Sequence, residues 1–292
     1  QKQIKFFKSK IKIHEIDYSK KKINKNNLNK LNLINVDYKQ VKLFEKISDK
    51  SNSYIENCFK IALEILNKKI SNKLINGPIS KKSFLNKKFL GITEFIAKKF
   101  SIKKNAMLIY NKQLSVCPVT THLPLKFVSK NIKKVKILEK IDLINRFYKK
   151  KFKINPRIGV LGLNPHCETV DKFNEDEKII KPIIKYFKNS KHNVSGPLSA
   201  DTAFLRKNRK NFDVIIGMYH DQVLTPIKTL YEYDAINITL GLPFIRISPD
   251  HGPNEKMIGK NISNPLSLIR AIEFLDKNDQ SKKKFGSTFS NR

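Results

Sequence analysis

Several stretches of the chain place apolar residues at helical spacing, and they alternate with short runs rich in apolar and β-branched residues. The helical spacing predicts helices at residues 53–68, 135–148, 175–189 and 265–275. The short runs predict strands at residues 73–76, 106–110, 113–121, 157–163, 212–218, 237–241 and 244–248. Pro182 interrupts the third helical pattern, so we expect it to kink that helix or to move its start.

This alternation of helices and strands is typical of an α/β protein with a largely parallel sheet. Asn111 and Lys112 separate two of the predicted strands, and we expect a tight turn there. The sequence contains no internal repeat, heptad run or long Pro- or Gly-rich linker that would mark a domain boundary. Residues 276–292 are polar and lysine-rich, which is typical of a loosely attached tail.

The formal charge of +34 raises the question of a nucleic-acid or anionic-membrane partner. Lysine is spread along the whole chain beside asparagine and isoleucine, as in residues 20–35, which favours a compositional bias of the genome. Spaced aromatic residues within a basic run, as in a stacking platform for single strands, are absent from the sequence. We therefore expect no specific nucleic-acid partner, although a basic nucleic-acid-binding protein stays open as an alternative.

The sequence shows no uncharged apolar run long enough for a membrane span and no apolar segment of a signal peptide. Because the chain opens on Gln1, we expect that part of a native N-terminus is missing. Cys58, Cys117 and Cys167 are few and widely separated, which fits a reducing cytoplasm better than a disulfide framework.

Three of the predicted strands run into a histidine, namely His122, His166 and His220. Ligands of open α/β sheets bind beyond the carboxyl ends of the strands, so imidazoles at these ends favour a metal site with an open coordination position. Asp221 and Glu168 are nearby oxygen donors that could fix the imidazole tautomers. Taken singly, each histidine is also compatible with a structural role at a strand end.

Other polar residues point to an anionic substrate. Asp201 lies at a predicted helix start, where it is either an acid–base group or an N-cap. Asn237 and Arg246 flank a turn, and the forked guanidinium of arginine suits phosphate or carboxylate. The sequence lacks the GxGxxG fingerprint, so the usual Rossmann glycines do not hold a cofactor here.

Seven segments of the sequence form a further pattern, namely residues 76–78, 91–95, 120–125, 162–166, 196–202, 219–222 and 237–252. Taken together, these segments resemble the 4-hydroxythreonine-4-phosphate dehydrogenase family, in which they occur in the same order. The resemblance extends from Asn76 to the C-terminal helix and is specific because many segments match at once.

The resemblance implies the two-domain α/β architecture of isocitrate and isopropylmalate dehydrogenases, with the active site in the inter-domain cleft at a dimer interface. One domain would comprise residues 1–88 with 259–292, and the other would comprise residues 89–258. By the resemblance, a divalent metal (zinc, cobalt, magnesium or manganese) is bound by ligands from both subunits of a homodimer, namely His122, His166 and His220. The residues at the family's substrate-binding positions are Thr93, Lys228, Asn237 and Arg246.

The activity implied is oxidation of 4-phosphohydroxy-L-threonine by NAD or NADP in pyridoxal 5'-phosphate biosynthesis. Its product, 2-amino-3-oxo-4-phosphooxybutanoate, decarboxylates to 3-amino-2-oxopropyl phosphate. A metal ion suits this chemistry because it stabilises negative charge on the reacting oxygen. Asp201 and Asp221 are candidates for proton transfer or for orienting a histidine, and the sequence does not separate these roles.

The chain also departs from the family pattern. Ile92 stands where the family usually has a substrate-contacting histidine, and Val223 stands where it has glycine. Pro253 and Asn254 replace small residues of the family pattern. The family's N-terminal glycine-rich motif is absent, so we expect the chain to be either trimmed or diverged at its N-terminus. Two alternatives therefore stay open: a sister dehydrogenase for another four-carbon phosphorylated hydroxy acid, and a degenerate homologue without catalysis.

Overall fold

A computed structural model describes residues 2–18, 29–80, 84, 91–170 and 173–276. Except for Asp276, the tail expected to be loosely attached lies outside these residues. The chain divides into two compact units. The first comprises residues 1–70, 82–84 and 254–263, and the second comprises residues 71–81, 85–253 and 264–292. The domain boundaries drawn from the resemblance stay a prediction.

The first unit contains two short parallel strands and one long helix. Strands β1 (Ile13–Glu15) and β2 (Leu31–Leu33) pair in parallel, and helix α1 (Lys2–Phe6) precedes them. Helix α2 (Asn52–Asn67) covers the stretch for which a helix was predicted, within one residue at each end. It buries Phe59, Leu63 and Leu66, whose spacing places them on one helical face.

The second unit is built on a mixed sheet of eight described strands in the order β3-β10-β9-β4-β5-β8-β6-β7. All the predicted strands occur in it, with ends that differ by a few residues. The strands are β3 (Lys73–Ile75), β4 (Ala106–Tyr110), β5 (Ser115–Pro118), β6 (Arg157–Leu161), β7 (Asn193–Leu198), β8 (Val214–Gly217), β9 (Ile236–Leu240) and β10 (Ile245–Pro249).

The expectation of a largely parallel sheet is correct for only part of it. Strands β5, β8, β6 and β7 pair in parallel, and so do β3 and β10, whereas β10–β9, β9–β4 and β4–β5 are antiparallel. Tight turns account for β4–β5 and β9–β10, because strands joined by a tight turn run antiparallel, whereas β9 pairs with β4 from a distant part of the sequence. Asn111 accepts from the Gln113 backbone in the first turn, as expected there. Gly241, at a φ of +93°, lies in the second, where a Cβ would come 2.3 Å from the Lys104 carbonyl oxygen.

Helices cover both faces of this sheet, and the strands are apolar on both sides as a result. Helices α5 (Lys134–Phe152), α6 (Lys181–Phe187) and α10 (Leu266–Leu275) pack against strand residues such as Leu108, Val160 and Ile216. Helices α7 (Ala200–Ala203) and α9 (His220–Tyr231) pack on the other core, which contains Met107 and Ile215. The remaining described α-helices are α3 (Ile92–Lys99), α4 (Val128–Asn131) and α8 (Arg206–Arg209).

Pro182 lies inside a continuous helical run and does not move its start. The chain is helical from residue 175, where the helix was predicted to begin; a π-helical turn spans Asp176–Ile180, and α6 continues directly from it with Pro182 in its first turn. Because proline has no N–H to donate, the change from π-helical to α-helical bonding just before it accommodates the missing donor. None of the described helices combines the length and the apolar character that crossing a membrane requires.

A half-buried ion pair joins β6 to the residue before β8. Asp213 accepts from the backbone N–H of Arg157 at 2.8 Å and from two guanidinium nitrogens at 3.2 and 2.9 Å. These bonds raise the pKa of Arg157, and the Asp213 backbone N–H donates back to the Arg157 carbonyl. The pair therefore fixes the amino-terminal register of β6 against β8.

We expect Asp213→Ala to lower the free energy of unfolding by about 2–3 kcal/mol, because several charge-assisted hydrogen bonds lose their acceptor. Urea unfolding followed by circular dichroism measures the change. Asp142→Ala is the control, since Asp142 pairs with Arg146 at 2.6 Å on the exposed surface of α5. That variant should lose less than about 0.5 kcal/mol. Equal losses would mean that the Asp213 pair does not hold the register.

Candidate active site at the carboxyl edge of the sheet

The three candidate metal-binding histidines follow three neighbouring strands. Strands β5, β8 and β6 lie side by side and run parallel, with Pro118 opposite Gly217 and Ile216 opposite Val160. His122, His220 and His166 come after the carboxyl ends of these strands, in that order across the sheet. The strand order thus places the residues that follow these three strands at one edge of the sheet, and metal binding by the histidines stays a prediction.

His122 and His220 face each other at this edge. Their ring centroids are 5.5 Å apart, and the ring planes are inclined by 41°. A tetrahedral ion with metal–nitrogen bonds of about 2.0–2.1 Å holds two imidazole rings with centroids roughly 5 Å apart, so this pair fits one shared ion. Asp221 Oδ1 lies 2.6 Å from His220 Nδ1. That contact leaves His220 Nε2 as the ring nitrogen available for a ligand.

His166 stands apart from this pair. It lies in a 3-10 turn, Pro165–Cys167, with a left-handed backbone (φ 54°), and its ring Nδ1 is 3.4 Å from Ser199 Oγ. Among the described residues, no group of three or more His, Cys, Asp or Glu side chains is close enough to hold a metal ion. Within one chain, the structure brings together two of the three predicted ligands and places the third at the end of the adjacent strand.

The two candidate catalytic aspartates lie near different histidines. Asp221 is exposed and contacts His220 directly. Asp201 is exposed on α7, the helix that begins after Ser199, and therefore lies on the His166 side. The roles of the two aspartates in proton transfer stay a prediction.

Arg246 is a buried guanidinium held by neutral groups. Arg246 is 2% exposed. Its guanidinium donates to Asn76 Oδ1 at 2.7 Å, to Thr239 Oγ1 at 2.9 Å and to Thr93 Oγ1 at 3.4 Å. Burial lowers its pKa to about 10, partly opposed by the charge of Glu94, so the group stays cationic at neutral pH. Within the described residues it forms no ion pair, and a buried cation in this state favours an anionic ligand.

The sheet explains how these partners meet. Arg246 on β10 lies opposite Leu74 of β3 on one side and opposite Thr239 of β9 on the other. Asn76 follows β3 directly, and Thr93 is the second residue of α3. Asn76 and Thr239 are therefore site residues that sequence reasoning missed. Thr239 could have been found from its spacing, since residues two apart on a strand share a face and Asn237 was already a candidate.

The two remaining predicted substrate-binding residues differ in what they contact. Asn237 on β9 has a buried side-chain oxygen for which the described residues supply no hydrogen-bond donor. Lys228 on α9 is ion-paired with Asp250, at 2.6 Å from Oδ2, and also donates to the Asp250 backbone oxygen. Burial raises the pKa of Asp250, while Lys228, His220 and His251 oppose the shift. Asp250 is thus a further buried charge near the candidate site.

One cavity is lined by one residue that contacts Arg246 and by one residue of the histidine pair. It has a volume of about 340 Å³ and is lined by both Thr93 and His122. Glu94 lies between them in this wall, and Thr121 Oγ1 is 3.4 Å from its Oε1. Lys103, Lys136 and Lys140 line the same cavity. A small anionic molecule in this space could reach both an imidazole and the threonine that binds Arg246.

The two departures from the family pattern have different surroundings. Val223 is fully buried on α9, and a Cβ on Gly217 would come 2.4 Å from its Cγ1. The absence of a side chain at Gly217 therefore makes room for valine at this position. Ile92 is 9% exposed at the first position of α3, directly before Thr93. It places an apolar side chain where the resemblance implies a polar contact with the substrate.

Several known proteins are similar to this chain in sequence and in fold. The family model described as pyridoxal phosphate biosynthetic protein PdxA matches residues 1–275. A 4-hydroxythreonine-4-phosphate dehydrogenase from a Sulfurihydrogenibium species is 46% identical over 224 residues, which make up 75% of this chain and 68% of that protein. One from Aquifex aeolicus is 42% identical over 187 residues, 64% of this chain and 58% of that protein.

A solved structure agrees with these matches. The crystal structure of a 4-hydroxythreonine-4-phosphate dehydrogenase from Burkholderia phymatum has a TM-score of 0.71 at 28% identity and covers 92% of this chain and 82% of that chain. The α/β fold class predicted from the sequence is thereby confirmed. The chain spans between 58% and 68% of the length of the two curated relatives named above.

We expect inorganic phosphate to raise the melting temperature of the chain by about 2–4 °C for each kcal/mol by which the bound ion stabilises the folded state at the concentration used. The reason is that a phosphate ion neutralises the buried Arg246 guanidinium. Arg246→Met should abolish the shift in a thermal melt followed by circular dichroism. Arg270→Met is the control, because Arg270 already pairs with Asp234 and Glu273 at the surface. A phosphate shift that survives Arg246→Met would contradict the anion site.

Proposed function

The chain belongs to the pyridoxal phosphate biosynthetic protein PdxA family, and on that premise we propose that it is a metal-dependent dehydrogenase acting on 4-phosphohydroxy-L-threonine. The secondary alcohol would be oxidised with NAD or NADP as hydride acceptor. The resulting β-keto acid, 2-amino-3-oxo-4-phosphooxybutanoate, would lose carbon dioxide to give 3-amino-2-oxopropyl phosphate. This reaction belongs to pyridoxal 5'-phosphate biosynthesis, the process named in the family's description.

The observation that carries the proposal is the buried Arg246. Its hydrogen bonds to Asn76, Thr93 and Thr239 fix the guanidinium without neutralising it. A substrate phosphate supplies the missing negative charge and accepts bidentate hydrogen bonds. The orphaned amide oxygen of Asn237 would accept from a substrate N–H or O–H group. Lys228, held by Asp250, would supply a second positive charge.

The proposed metal ligands are His122 and His220, with His166 completing the set. Neutral imidazoles suit zinc and cobalt, and magnesium or manganese stay possible as the native ion. A bound ion would stabilise negative charge on the reacting oxygen and polarise the ketone for loss of carbon dioxide. Asp221 contributes by holding the ring of His220 through Nδ1. Asp201 and Asp221 are the proposed proton acceptors for the substrate hydroxyl.

Sharing of ligands between two subunits is part of the proposal. Exposed apolar side chains follow two of the histidines in sequence, with Leu125 and Phe127 after His122, and Val170 and Phe173 after His166. Exposed apolar groups of this kind are typical of protein–protein contacts. A second copy of the chain could therefore cover this surface and bring the missing imidazole. Cys58, Cys117 and Cys167 are free thiols, which supports a reducing cytoplasm as the site of action.

A sister dehydrogenase is the second candidate function, and Ile92 is the observation that favours it. The apolar side chain directly before Thr93 removes a polar contact from the substrate pocket. A different four-carbon phosphorylated hydroxy acid could lack the group that this contact would recognise. A degenerate homologue without catalysis is the third possibility, and the assay below separates it from the other two.

We expect the purified chain to reduce NAD or NADP when 4-phosphohydroxy-L-threonine is added, and a chelator to abolish the reaction until a divalent metal is restored. His122→Ala should lower kcat/KM by at least about 100-fold, because it removes a metal ligand. His14→Ala, in the first unit, is the control and should keep full activity. Turnover and metal content that survive His122→Ala would contradict the proposed site, and absence of any turnover would favour the degenerate homologue.

We expect Ile92→His to raise kcat/KM for 4-phosphohydroxy-L-threonine by about tenfold, because a hydrogen bond to the substrate is worth about 1.5 kcal/mol or more when a charged group takes part. Ile92→Val is the control and keeps the pocket apolar. The measurement is steady-state NAD reduction with this substrate and with a panel of other phosphorylated hydroxy acids. Faster turnover of another substrate by the wild-type chain, with no gain from Ile92→His, would favour the sister dehydrogenase.

A further inference from the structure

Two consecutive buried carboxylates, Glu175 and Asp176, contact the turn that carries His166. Asp176 is completely buried and Glu175 is 7% exposed. Neither forms an ion pair with a described lysine or arginine. Burying a carboxylate without a cation is costly unless hydrogen bonds satisfy its oxygens. The partners of these two side chains therefore indicate what they stabilise.

Nearly all of those partners belong to the turn. Asp176 accepts from the Leu163 backbone N–H at 2.8 Å and from the Asn164 backbone N–H at 3.1 Å. The Asn164 side-chain amide donates to Asp176 at 2.9 Å and to Glu175 at 3.2 Å. Burial opposes ionisation of Glu175, yet the bonds from Ser129 and Asn164 lower its pKa. Among the described residues, all the donors to the Asp176 carboxylate thus lie two or three residues before His166.

The turn needs this support because its backbone is strained. His166 and Cys167 have φ values of 54° and 63°, in the left-handed region that non-glycine residues rarely adopt. Such conformations persist where the surroundings impose them. Gly162 lets the carboxylate approach, since a Cβ there would come 2.7 Å from Asp176 Oδ1 and 2.6 Å from Cys167 Sγ.

Gln222 connects the same turn to His220. Its side-chain amide donates to the Gly162 carbonyl oxygen at 2.8 Å, and its side-chain oxygen accepts from the Met218 backbone N–H at 2.7 Å. Gln222 is two residues after His220 on α9. The position of the His166 turn is therefore fixed on one side by Asp176 and on the other by the helix start that carries His220.

We propose that Asp176, assisted by Glu175, is a positioning residue for His166. Its carboxylate holds the backbone of residues 163 and 164 so that the strained turn presents the imidazole at the edge of the sheet. Asp176 is the first residue of the π-helical turn before α6, and π-turns are frequent at functional sites. This inference rests on the proposed function, because it assigns His166 to metal binding.

The test is a Co²⁺ titration of the full-length chain, followed by the visible absorption of the bound ion and by competition with a chelator. Asp176→Asn keeps the size of the side chain but loses an acceptor and the negative charge. We expect Co²⁺ affinity to fall by about 10–100-fold, the usual effect of removing a group that supports a metal ligand. Glu177→Gln is the matched control, because Glu177 is the next residue along the chain, is exposed, and pairs with Lys181 on the surface.

A merely structural role would give a different result. In that case urea unfolding would show lower stability for Asp176→Asn, while the folded variant would keep the wild-type Co²⁺ affinity and spectrum. That outcome overturns the proposal. If Asp176→Asn does not fold, Asn164→Ala decides, because it removes the side-chain donor and leaves both backbone N–H groups of the turn on Asp176. The proposal requires Asn164→Ala to bind Co²⁺ measurably more weakly than the wild-type chain, and an affinity equal to wild type overturns it.

The titration of the wild-type chain separates this inference from the proposed function. A wild-type chain that binds no Co²⁺ would remove the proposed metal site, and the positioning role with it. A wild-type chain that binds Co²⁺ through His122 and His220, with an affinity unchanged by His166→Ala, would leave the metal site standing and overturn the role of Asp176 alone. Loss of affinity in both His166→Ala and Asp176→Asn, with Glu177→Gln unchanged, is the expected result.

Discussion

The parallel hydrogen-bonding between β5, β8 and β6 is the constraint on which the candidate site depends. Neighbouring strands lie about 4.8 Å apart, so residues that follow the ends of adjacent parallel strands are within side-chain reach of each other. Their pairing registers align Pro118 with Gly217 and Ile216 with Val160. Helices bury both faces of these strands, which is why their apolar residues hold the register firmly.

Buried charge is the second theme of the structure, and the chain treats its buried charges in different ways. Asp176 is satisfied by backbone N–H groups, and Asp250 is paired with Lys228. Among the described residues Arg246 has only neutral acceptors, with Glu94 acting on it only through its charge, so its guanidinium remains available to a ligand. Desolvating a charge is costly, and a site that leaves one uncompensated gains most when an anion binds. This asymmetry distinguishes Arg246 from the many surface lysines that produce the charge of +34.

The sequence allowed the fold class, most strands and the candidate ligands to be predicted, because each depends on local pattern. Period-two and helical spacings predict elements, and a polar residue at a strand end predicts the edge on which it lies. The antiparallel pairing of β9 with β4 was not predicted, since it depends on how β9 returns beside a strand that is distant in sequence. Asp176 was also missed. It lies in the first turn of a predicted helix, where acidic residues are ordinary, and its partners come from a separate turn.

The two departures from the family pattern show how one substitution is absorbed by the fold while another changes the chemistry. Val223 lies in the core beside Gly217, so its extra volume occupies space that a side chain at Gly217 would otherwise fill. Its effect is therefore confined to packing. Ile92 directly precedes Thr93, which accepts a hydrogen bond from Arg246, and it places an apolar side chain at that position. The departure that bears on the substrate is therefore Ile92, while His122, His166 and His220 all follow the ends of their strands at the edge of the sheet.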